Sequence, residues 1–262
     1  MRFASLGSGS RGNGTLVEHG KTCLLVDCGF SVRETENRLE QLGKFAHEIS
    51  AVLVTHEHSD HISGVGPLAR KYNLPVWATS GTLFVDRQAA RDNYAERIGE
   101  RVDLHPICSH TAISIGDIEV QPFPVPHDAR EPSQFVFSNG DKKLGLLTDV
   151  GSHTLHIEEL LSGCDALILE CNHDKELLEQ GEYPPSLKKR VGGNLGHLSN
   201  NQAADILERL DTTKLNSIVA AHLSEKHNTP SMAQQALAGA LSCEVDWISV
   251  AYQQTGLDWR DV

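Results

Sequence analysis

The sequence has little cysteine and no long hydrophobic run, and each shortage excludes a class of protein. The six cysteines are scattered through 262 residues without a Cys-x-x-Cys pair, so we expect reduced thiols in or near the core and no disulfide framework. No stretch approaches the roughly 18 apolar residues that span a membrane. Residues 1–6 offer no hydrophobic signal region. We therefore expect a cytoplasmic protein without membrane contact.

Positive charge is also in short supply. Lys and Arg number 23 against 35 Asp and Glu, which gives a net charge of −12. A protein that coats nucleic acid non-specifically needs clustered cations to neutralise phosphates, and this balance argues against one. An enzyme with a local basic rim and cations bound in its cleft stays compatible, because bound ions can be the largest charges in a site.

Residues 55–61, Thr-His-Glu-His-Ser-Asp-His, are the most informative stretch. They place four potential metal ligands within six positions, His56, His58, Asp60 and His61. The apolar, β-branched residues 51–55 predict a buried strand that ends at this cluster. Because side chains alternate along an extended segment and a loop can fold the last two ligands back, we expect His56 and His58 to bind one ion and Asp60 and His61 another. Four ligand-type side chains in this order disfavour the alternative, a polar loop whose histidines are merely solvated.

The rest of the chain alternates short apolar runs with amphipathic segments. We predict strands at 2–6, 14–18, 22–27, 75–79, 102–105, 112–115, 118–125, 133–137, 142–148, 166–170, 217–221 and 247–252. We predict helices at 31–43 (with Ser31 as N-cap), 67–72, 80–98, 154–161, 199–210 and 230–241. The segment 181–194 is rich in Pro and Gly and contains Lys188-Lys189-Arg190. It indicates a surface excursion that can border a cleft, with the basic run as a solvated face or a contact to nucleic acid.

Residues 7–12 spell G-x-G-x-x-G, and Asp27 follows 20 residues after Gly7. In a dinucleotide-binding fold this motif must open a helix. Here two strand patterns follow, joined at His19-Gly20, which predicts a β-hairpin. We therefore interpret the glycines as a tight turn at the sheet end, whose backbone N–H groups can face the active site. No nucleotide cofactor is expected.

Strands outnumber helices in both halves of the sequence, and the helices fall between hairpins. This order favours two mixed sheets with helices outside over a doubly wound parallel sheet. We find no repeat, low-complexity segment or linker, so we expect residues 1–262 to form one domain. The candidate ligands near 56–61, 127, 149 and 222 each follow an apolar strand, and four strand ends converging on one edge would make a single site.

With these motifs in place, the chain resembles the metallo-β-lactamase-fold hydrolases through THEHSDH, PHD, TDVG and AAHLS. The resemblance implies a four-layer αββα sandwich with a dinuclear metal site along one edge. Its implied ligand sets are His56, His58 and His127 for the first ion, and Asp60, His61 and His222 for the second. Asp149 would bridge the ions, as in phosphodiesterase and thioester-hydrolase members. Class B β-lactamases differ, since their second site often has a cysteine ligand.

Three further stretches, LGSGSRGNGT, ECNHD and GHLSNNQA, are similar to the YycJ (WalJ) branch and more distantly to ribonuclease Z and ribonuclease J. Proteins of this branch resemble 5′-to-3′ exonucleases that act on DNA, so DNA is the implied substrate. The large inserted domain of ribonuclease J does not fit in this chain. The Gly-His-x-Ser/Thr motif of ribonuclease Z supplies a catalytic histidine, which implies that role for His197, with a helix-capping or core histidine as the alternative.

The implied chemistry is metal-assisted hydrolysis of a phosphodiester. Asp60 would orient the attacking hydroxide as well as bind metal, and His197 would protonate or stabilise the departing oxygen. Substrate contacts are expected from residues after two buried strands, namely Asn172, His173, Ser224 and His227. For these four, bracing of a ligand or an ordinary surface turn is the alternative. His110 is the rival of His127 as third ligand.

The sequence leaves the metal and the oligomeric state open. Nitrogen-rich sites with carboxylates suit zinc, yet manganese or iron can occupy similar ligand sets. The nearest alternative function is a small-molecule hydrolase such as a glyoxalase II-like thioesterase, because His-x-His-x-Asp-His-x-x-Gly, here ending at Gly64, also suits that class. A di-iron redox protein, which would need a flavin partner or domain, and a non-catalytic metal scaffold are the remaining hypotheses.

Overall fold

The structure, a computed structural model, describes residues 1–83, 98 and 101–262. These residues form two mixed sheets packed face to face, with helices on both outer sides. The layers follow the order helix, sheet, sheet, helix, which confirms the predicted αββα sandwich.

The first sheet is built mainly from the N-terminal part of the chain. Its strands are β1 (Arg2–Gly7), β2 (Gly14–His19), β3 (Thr22–Val26), β4 (Ala51–Leu53), β5 (Val76–Thr79), β6 (Leu104–Ile107) and β14 (Leu257–Asp261). Their spatial order is β14-β1-β2-β3-β4-β5-β6. Antiparallel pairing from β14 to β3 gives way to parallel pairing from β3 to β6.

The second sheet comes from the C-terminal part. Its strands are β7 (Ile113–Ile115), β8 (Ile118–Pro124), β9 (Ser133–Ser138), β10 (Lys143–Leu147), β11 (Ala166–Glu170), β12 (Ser217–Ala221) and β13 (Ser249–Val250). Their spatial order is β13-β12-β11-β10-β9-β8-β7. The strands β10 to β13 are parallel, and β8 runs in the same direction because both β8 and β10 are antiparallel to β9.

The helices cover the two outer faces. They are α1 (Val32–Gln41), α2 (Ser59–Ile62), α3 (Val65–Tyr72), α4 (Ser80–Leu83), α5 (Leu155–Leu161), α6 (Lys175–Gln180), α7 (Pro185–Val191), α8 (Asn200–Arg209) and α9 (Pro230–Leu241). The predicted cap of α1 is confirmed, since the Ser31 side chain accepts a hydrogen bond from the Glu34 backbone N–H. None of the described helices combines the length and apolar character needed to cross a membrane.

The central core lies between the sheets and explains their alternating sequence. Phe3 and Leu24 of the first sheet pack in one cluster with Phe135, Phe137 and Ile168 of the second. Each sheet buries its other face under its own helices, so most strands are apolar on both sides. Burial on both faces makes the strand ends rigid positions from which to hold polar ligands.

Several predicted elements differ from the structure. The strand predicted at 247–252 is wrong in extent, because a 3₁₀ turn (Val245–Trp247) precedes the two-residue β13. The excursion at 181–194 contains α7, in which Pro185 begins the helix and Gly192 caps it. Pro and Gly here bound a helix rather than exclude one. The helices α2 and α6 and the strand β14 were also missed.

Two further predictions concern the chain before residue 101. Helix α4 is the first turn of the helix predicted at 80–98, and residues 84–97 of that prediction lie outside the described residues. The rejection of a dinucleotide-binding motif is confirmed, because the glycine-rich residues join β1 to β2 and open no helix.

Candidate metal centre and active site

The predicted ligands converge on one edge of the sandwich from both sheets. Residues 56–61 follow β4 of the first sheet, while His127, Asp149 and His222 follow β8, β10 and β12 of the second. Since β8, β10 and β12 run in the same direction, their carboxyl ends meet at the same edge. The site therefore exists only where the two sheets are packed together.

The ligand atoms of the predicted residues form overlapping groups. In one group His56, His58 and His127 offer ligand atoms within 4.8 Å of one another. In a second group Asp60, His61 and His222 do so, and Asp149 groups with His56 and His61. Asp149 thus lies between the two predicted sets. His110 belongs to none of these groups, and its exposed ring lies 5.9 Å from that of His156.

We call His56, His58 and His127 the imidazole half of the site. Each buried ring in it is oriented by a neutral partner: His56 Nδ1 lies 3.0 Å from Thr55 Oγ1, and His127 Nδ1 donates to the Gly196 carbonyl at 3.0 Å. The opposite nitrogen, Nε2, of both rings is left for the centre. Burial lowers the pKa of both His56 and His127, which favours the neutral form that binds a metal.

We call Asp60, His61 and His222 the carboxylate half, because buried acids surround its two imidazoles. His61 Nδ1 lies 2.8 Å from Asp27 Oδ2, and its Nε2 lies 3.4 Å from Asp60 Oδ2. Burial alone would lower the pKa of His61, but Asp149, Asp60 and Asp27 together raise it well above its usual value. Burial would also lower the pKa of His222, but the carboxylates of Asp149 and Glu170 raise it to about 10.

The residues present fit a pair of divalent cations. The buried His56 Nε2 has no hydrogen-bond partner among the described residues, and Asp149 Oδ2 contacts two imidazoles, at 3.0 Å from His222 Nδ1 and 3.3 Å from His61 Nε2. Both atoms lie where the rings converge. The surrounding carboxylates favour positive charge here, which protons on His61 and His222 or metal ions can supply. Mixed imidazole and carboxylate donors suit zinc and related transition metals.

Backbone strain also concentrates at this edge. Asp27, Asp149 and His222 have positive φ angles of 61°, 51° and 54°, a backbone conformation that residues other than glycine rarely adopt. They are three of the six non-glycine residues in that region among the described residues. Strain of this kind persists where the surroundings enforce it and is typical of functional sites.

His197 belongs to a further group, in which Asp149, Glu170, His197 and His222 offer ligand atoms within 4.8 Å of one another. Its Nδ1 donates to Oε1 of the fully buried Glu170 at 2.8 Å, and the other Glu170 oxygen accepts from the backbone N–H groups of Val150 and Leu198, both at 3.1 Å. Burial opposes ionisation of Glu170, yet His197 and His222 lower its pKa to about 2. The ionised Glu170 in turn raises the pKa of His197.

A cavity of about 350 Å³ opens over the centre. Of the predicted substrate residues, Asn172 and Ser224 line it beside Asp60, Asp149 and His197. His173 instead lines a separate cavity with Lys175 and Lys188. His227 is buried under the ring of Tyr183.

Sequence reasoning missed three contributors, and it named a fourth, Arg190, only as part of the basic run 188–190. Asp27 contacts His61, and Glu170 contacts His197. Their signal in the sequence was an acid directly after the apolar strand β3 and another at the end of β11. Asn13 of the glycine-rich loop donates to Asp60 Oδ2 at 3.3 Å. Arg190 of α7 reaches Asp128 Oδ2 at 2.5 Å across the cavity mouth. Asn13 contacts a distant segment and leaves no local pattern, whereas the basic run was the signal for Arg190.

Comparison with known proteins places this geometry in a family. The beta-lactamase superfamily domain matches residues 22–219. The exodeoxyribonuclease YycJ of Bacillus anthracis is 38% identical over 244 residues, which cover 92% of this chain and 89% of that protein. The exodeoxyribonuclease WalJ of Streptococcus pneumoniae is 34% identical over 242 residues, with 92% and 88% coverage.

A solved structure supports the fold independently of sequence. The metallo-beta-lactamase fold protein YhfI of Bacillus subtilis superimposes with a TM-score of 0.72 over 99% of both chains at 16% identity. At this identity the likeness concerns the fold alone.

Proposed function

This chain belongs to the metallo-β-lactamase-fold hydrolases of the beta-lactamase superfamily, in the branch that includes YycJ and WalJ, and from that membership we propose that it is a metal-dependent 5′-to-3′ exonuclease acting on DNA. One observation supports this most: seven ligand-type side chains from both sheets meet under a cavity that also contains the His197–Glu170 pair.

Each half of the site has a proposed occupant. His56, His58 and His127 would hold one divalent ion, Asp60, His61 and His222 the other, and Asp149 would contact both. Two such ions, when bound, activate water and neutralise charge on a phosphodiester. Zinc and manganese both suit these donors, and iron remains compatible.

The chain's own residues would position and protonate the reacting groups. Asp60, which lines the cavity, would orient the attacking hydroxide. Because Nδ1 of His197 is bound to Glu170, its Nε2 lies on the opposite side of the ring and can donate a proton to the departing oxygen of DNA. The buried carboxylate fixes both the orientation and the charge of that imidazole.

The test is hydrolysis of DNA duplexes labelled at the 5′ end by metal-stripped protein reloaded with Mn²⁺ or Zn²⁺. We expect mononucleotide release that stops when phosphorothioates block the 5′ end and continues when they block the 3′ end. Asp60→Ala should abolish release and His197→Ala should reduce it. His110→Ala, at an exposed ring away from the site, is the matched control.

The contrary outcome is equally definite. If neither metal supports release from DNA or matched RNA, while a thioester is hydrolysed in an Asp60-dependent way, the protein is a small-molecule hydrolase on the same site. If Asp60→Ala leaves DNA hydrolysis unchanged, these residues are not the nuclease centre.

A further inference from the structure

We propose that residues 181–194 form a pocket for the terminal nucleotide of the strand being degraded, with Tyr183 as the platform for its base and Arg190 as a partner of its phosphate. The inference rests on the proposed nuclease function and names the substrate contacts that this function requires beyond the metal centre.

The residues that line the cavity are of two chemical kinds. Polar groups of the centre, including Asp60, Asp149 and His222, form one set. Tyr183, Leu187 and Val191 of the excursion form the other. A nucleotide has the same division, since its phosphate is charged and its base is a flat, largely apolar ring. The cavity volume of about 350 Å³ lies within the usual range for small-ligand pockets.

Tyr183 is held in place before any substrate arrives. Its ring contacts the buried His227 ring edge-on, with centroids 4.3 Å apart and an interplanar angle of 66°. The preceding Gly181 packs so closely on His227 that a Cβ would lie 2.2 Å from its Nε2. A fixed, half-buried aromatic ring can stack on any base, which suits an enzyme that removes nucleotides regardless of sequence. His227 then supports substrate binding through Tyr183 rather than by direct contact.

Arg190 lies where a phosphate beside the metal centre would need a cation. Its guanidinium pairs with Asp128 Oδ2, while Asp128 Oδ1 lies 3.6 Å from His127 Nε2 and 3.9 Å from His58 Nε2. Arginine binds phosphate through parallel hydrogen bonds, so a DNA phosphate can compete with Asp128 for it. This local cation reconciles an acidic protein with an anionic substrate.

The base platform is tested with two duplexes that differ only at the 5′-terminal nucleotide, which carries adenine in one and a tetrahydrofuran abasic analogue in the other. We expect wild-type kcat/KM to be about 10-fold higher for adenine, a size typical of stacking on one aromatic ring. Tyr183→Ala should bring the ratio close to one, and Tyr183→Phe and Tyr183→Trp should preserve it. Tyr72→Ala, at a tyrosine on α3 that contacts Glu36, should leave the ratio unchanged.

Either of two results overturns the platform. One is a wild-type protein without preference for the base, and the other is a Tyr183→Ala variant that loses activity equally on both duplexes. If the wild type cleaves neither duplex, the nuclease proposal fails separately. Calorimetry of the metal-loaded protein then decides the pocket: Tyr183-dependent, about 10-fold tighter binding of dAMP than of deoxyribose 5-phosphate supports it, and equal binding contradicts it.

The role of Arg190 is tested by the salt dependence of KM for the adenine duplex. Arg190→Gln should lower the slope of log KM against log salt by about 0.7–0.9, the change expected for one lost phosphate contact. Lys189→Gln removes the same charge one residue away, from a side chain outside the cavity lining, and should change the slope far less. Equal changes in both variants would show a general charge effect and overturn the specific contact.

Discussion

The two halves of the candidate centre use the same residue type in opposite ways. In the imidazole half, Thr55 and a backbone carbonyl orient the rings, and burial lowers the pKa of His56 and His127. In the carboxylate half, buried acids surround His61 and His222 and raise their pKa values. Histidine alone therefore does not define a site, because its partners decide which charge it carries.

The difference has a chemical meaning for two neighbouring cations. Neutral imidazoles would give the first ion a ligand set in which the shared Asp149 is the only carboxylate, whereas Asp60 would bring a further negative charge to the second. An ion held mainly by neutral ligands retains more of its Lewis acidity, and an ion beside carboxylates is bound with more electrostatic support. We expect substitutions to separate these two contributions.

The largest effect should come from Asp149→Ala, because this carboxylate is shared by the halves. We expect DNA hydrolysis to fall by at least about 10³-fold and the bound metal to fall below two equivalents. Single-turnover kinetics and elemental analysis provide the two measurements. Asp103→Ala, at an exposed carboxylate, is the control. Full activity in the Asp149→Ala variant would contradict a shared ligand, because the two halves would then act without Asp149 between them.

Removal of the metals should have the next largest effect. Ligands from both sheets hold each proposed ion, so bound metal stabilises the packed sandwich and not the unfolded chain. With metal at about 1,000 times its Kd at both sites, chelation should lower Tm by about 15 °C. Thermal unfolding with and without chelator checks this. An unchanged Tm in protein that had bound two equivalents would contradict the assignment of ligands to both sheets.

Glu170→Gln should separate proton transfer from metal binding. We expect both metals to remain, but hydrolysis of DNA should fall by about 10–100-fold, because His197 loses the carboxylate that orients and charges it. A p-nitrophenyl ester of thymidine 5′-monophosphate, whose leaving group needs no proton, should be hydrolysed almost normally. An equal loss of hydrolysis on both substrates would show that Glu170 maintains the structure of the site and does not act through proton transfer.

The smallest effect expected is that of Asp27→Asn. The amide keeps the shape beside His61 but removes the charge, so one metal equivalent should bind about 10–100-fold more weakly and the other should be unaffected. Competition with a chromophoric chelator resolves the two affinities. If both weaken equally, the distinction between the halves does not extend to metal binding.

The sequence predicted the local parts of this site better than the distant ones. His56, His58, Asp60 and His61 were found directly, because one strand end and the turn after it bring them together. His127, Asp149 and His222 are 66 or more positions beyond His61. Their positions after apolar strands suggested a common edge, but only the family resemblance assigned them to the two ligand sets. Their approach depends on the packing of two sheets, which periodicity does not encode.

The fold shows the same limit. Apolar runs identified strands β1 to β13, although the extent of β13 was wrong, because burial on both faces leaves a clear pattern. Strand β14 was missed because, after the buried Leu257, it has only charged residues and Trp259 with intermediate or exposed side chains. Helix α7 was missed because none of its residues is buried, so it has no apolar stripe to detect.

Strand β14 has a consequence for synthesis of the protein on the ribosome. It pairs Asp261 with Arg2 and Arg260 with Phe3, so a strand made late joins the first one. Until residues 257–261 have left the ribosome, β1 presents an open strand edge through which nascent chains can associate. The first sheet is therefore complete only after the rest of the sandwich has been synthesised.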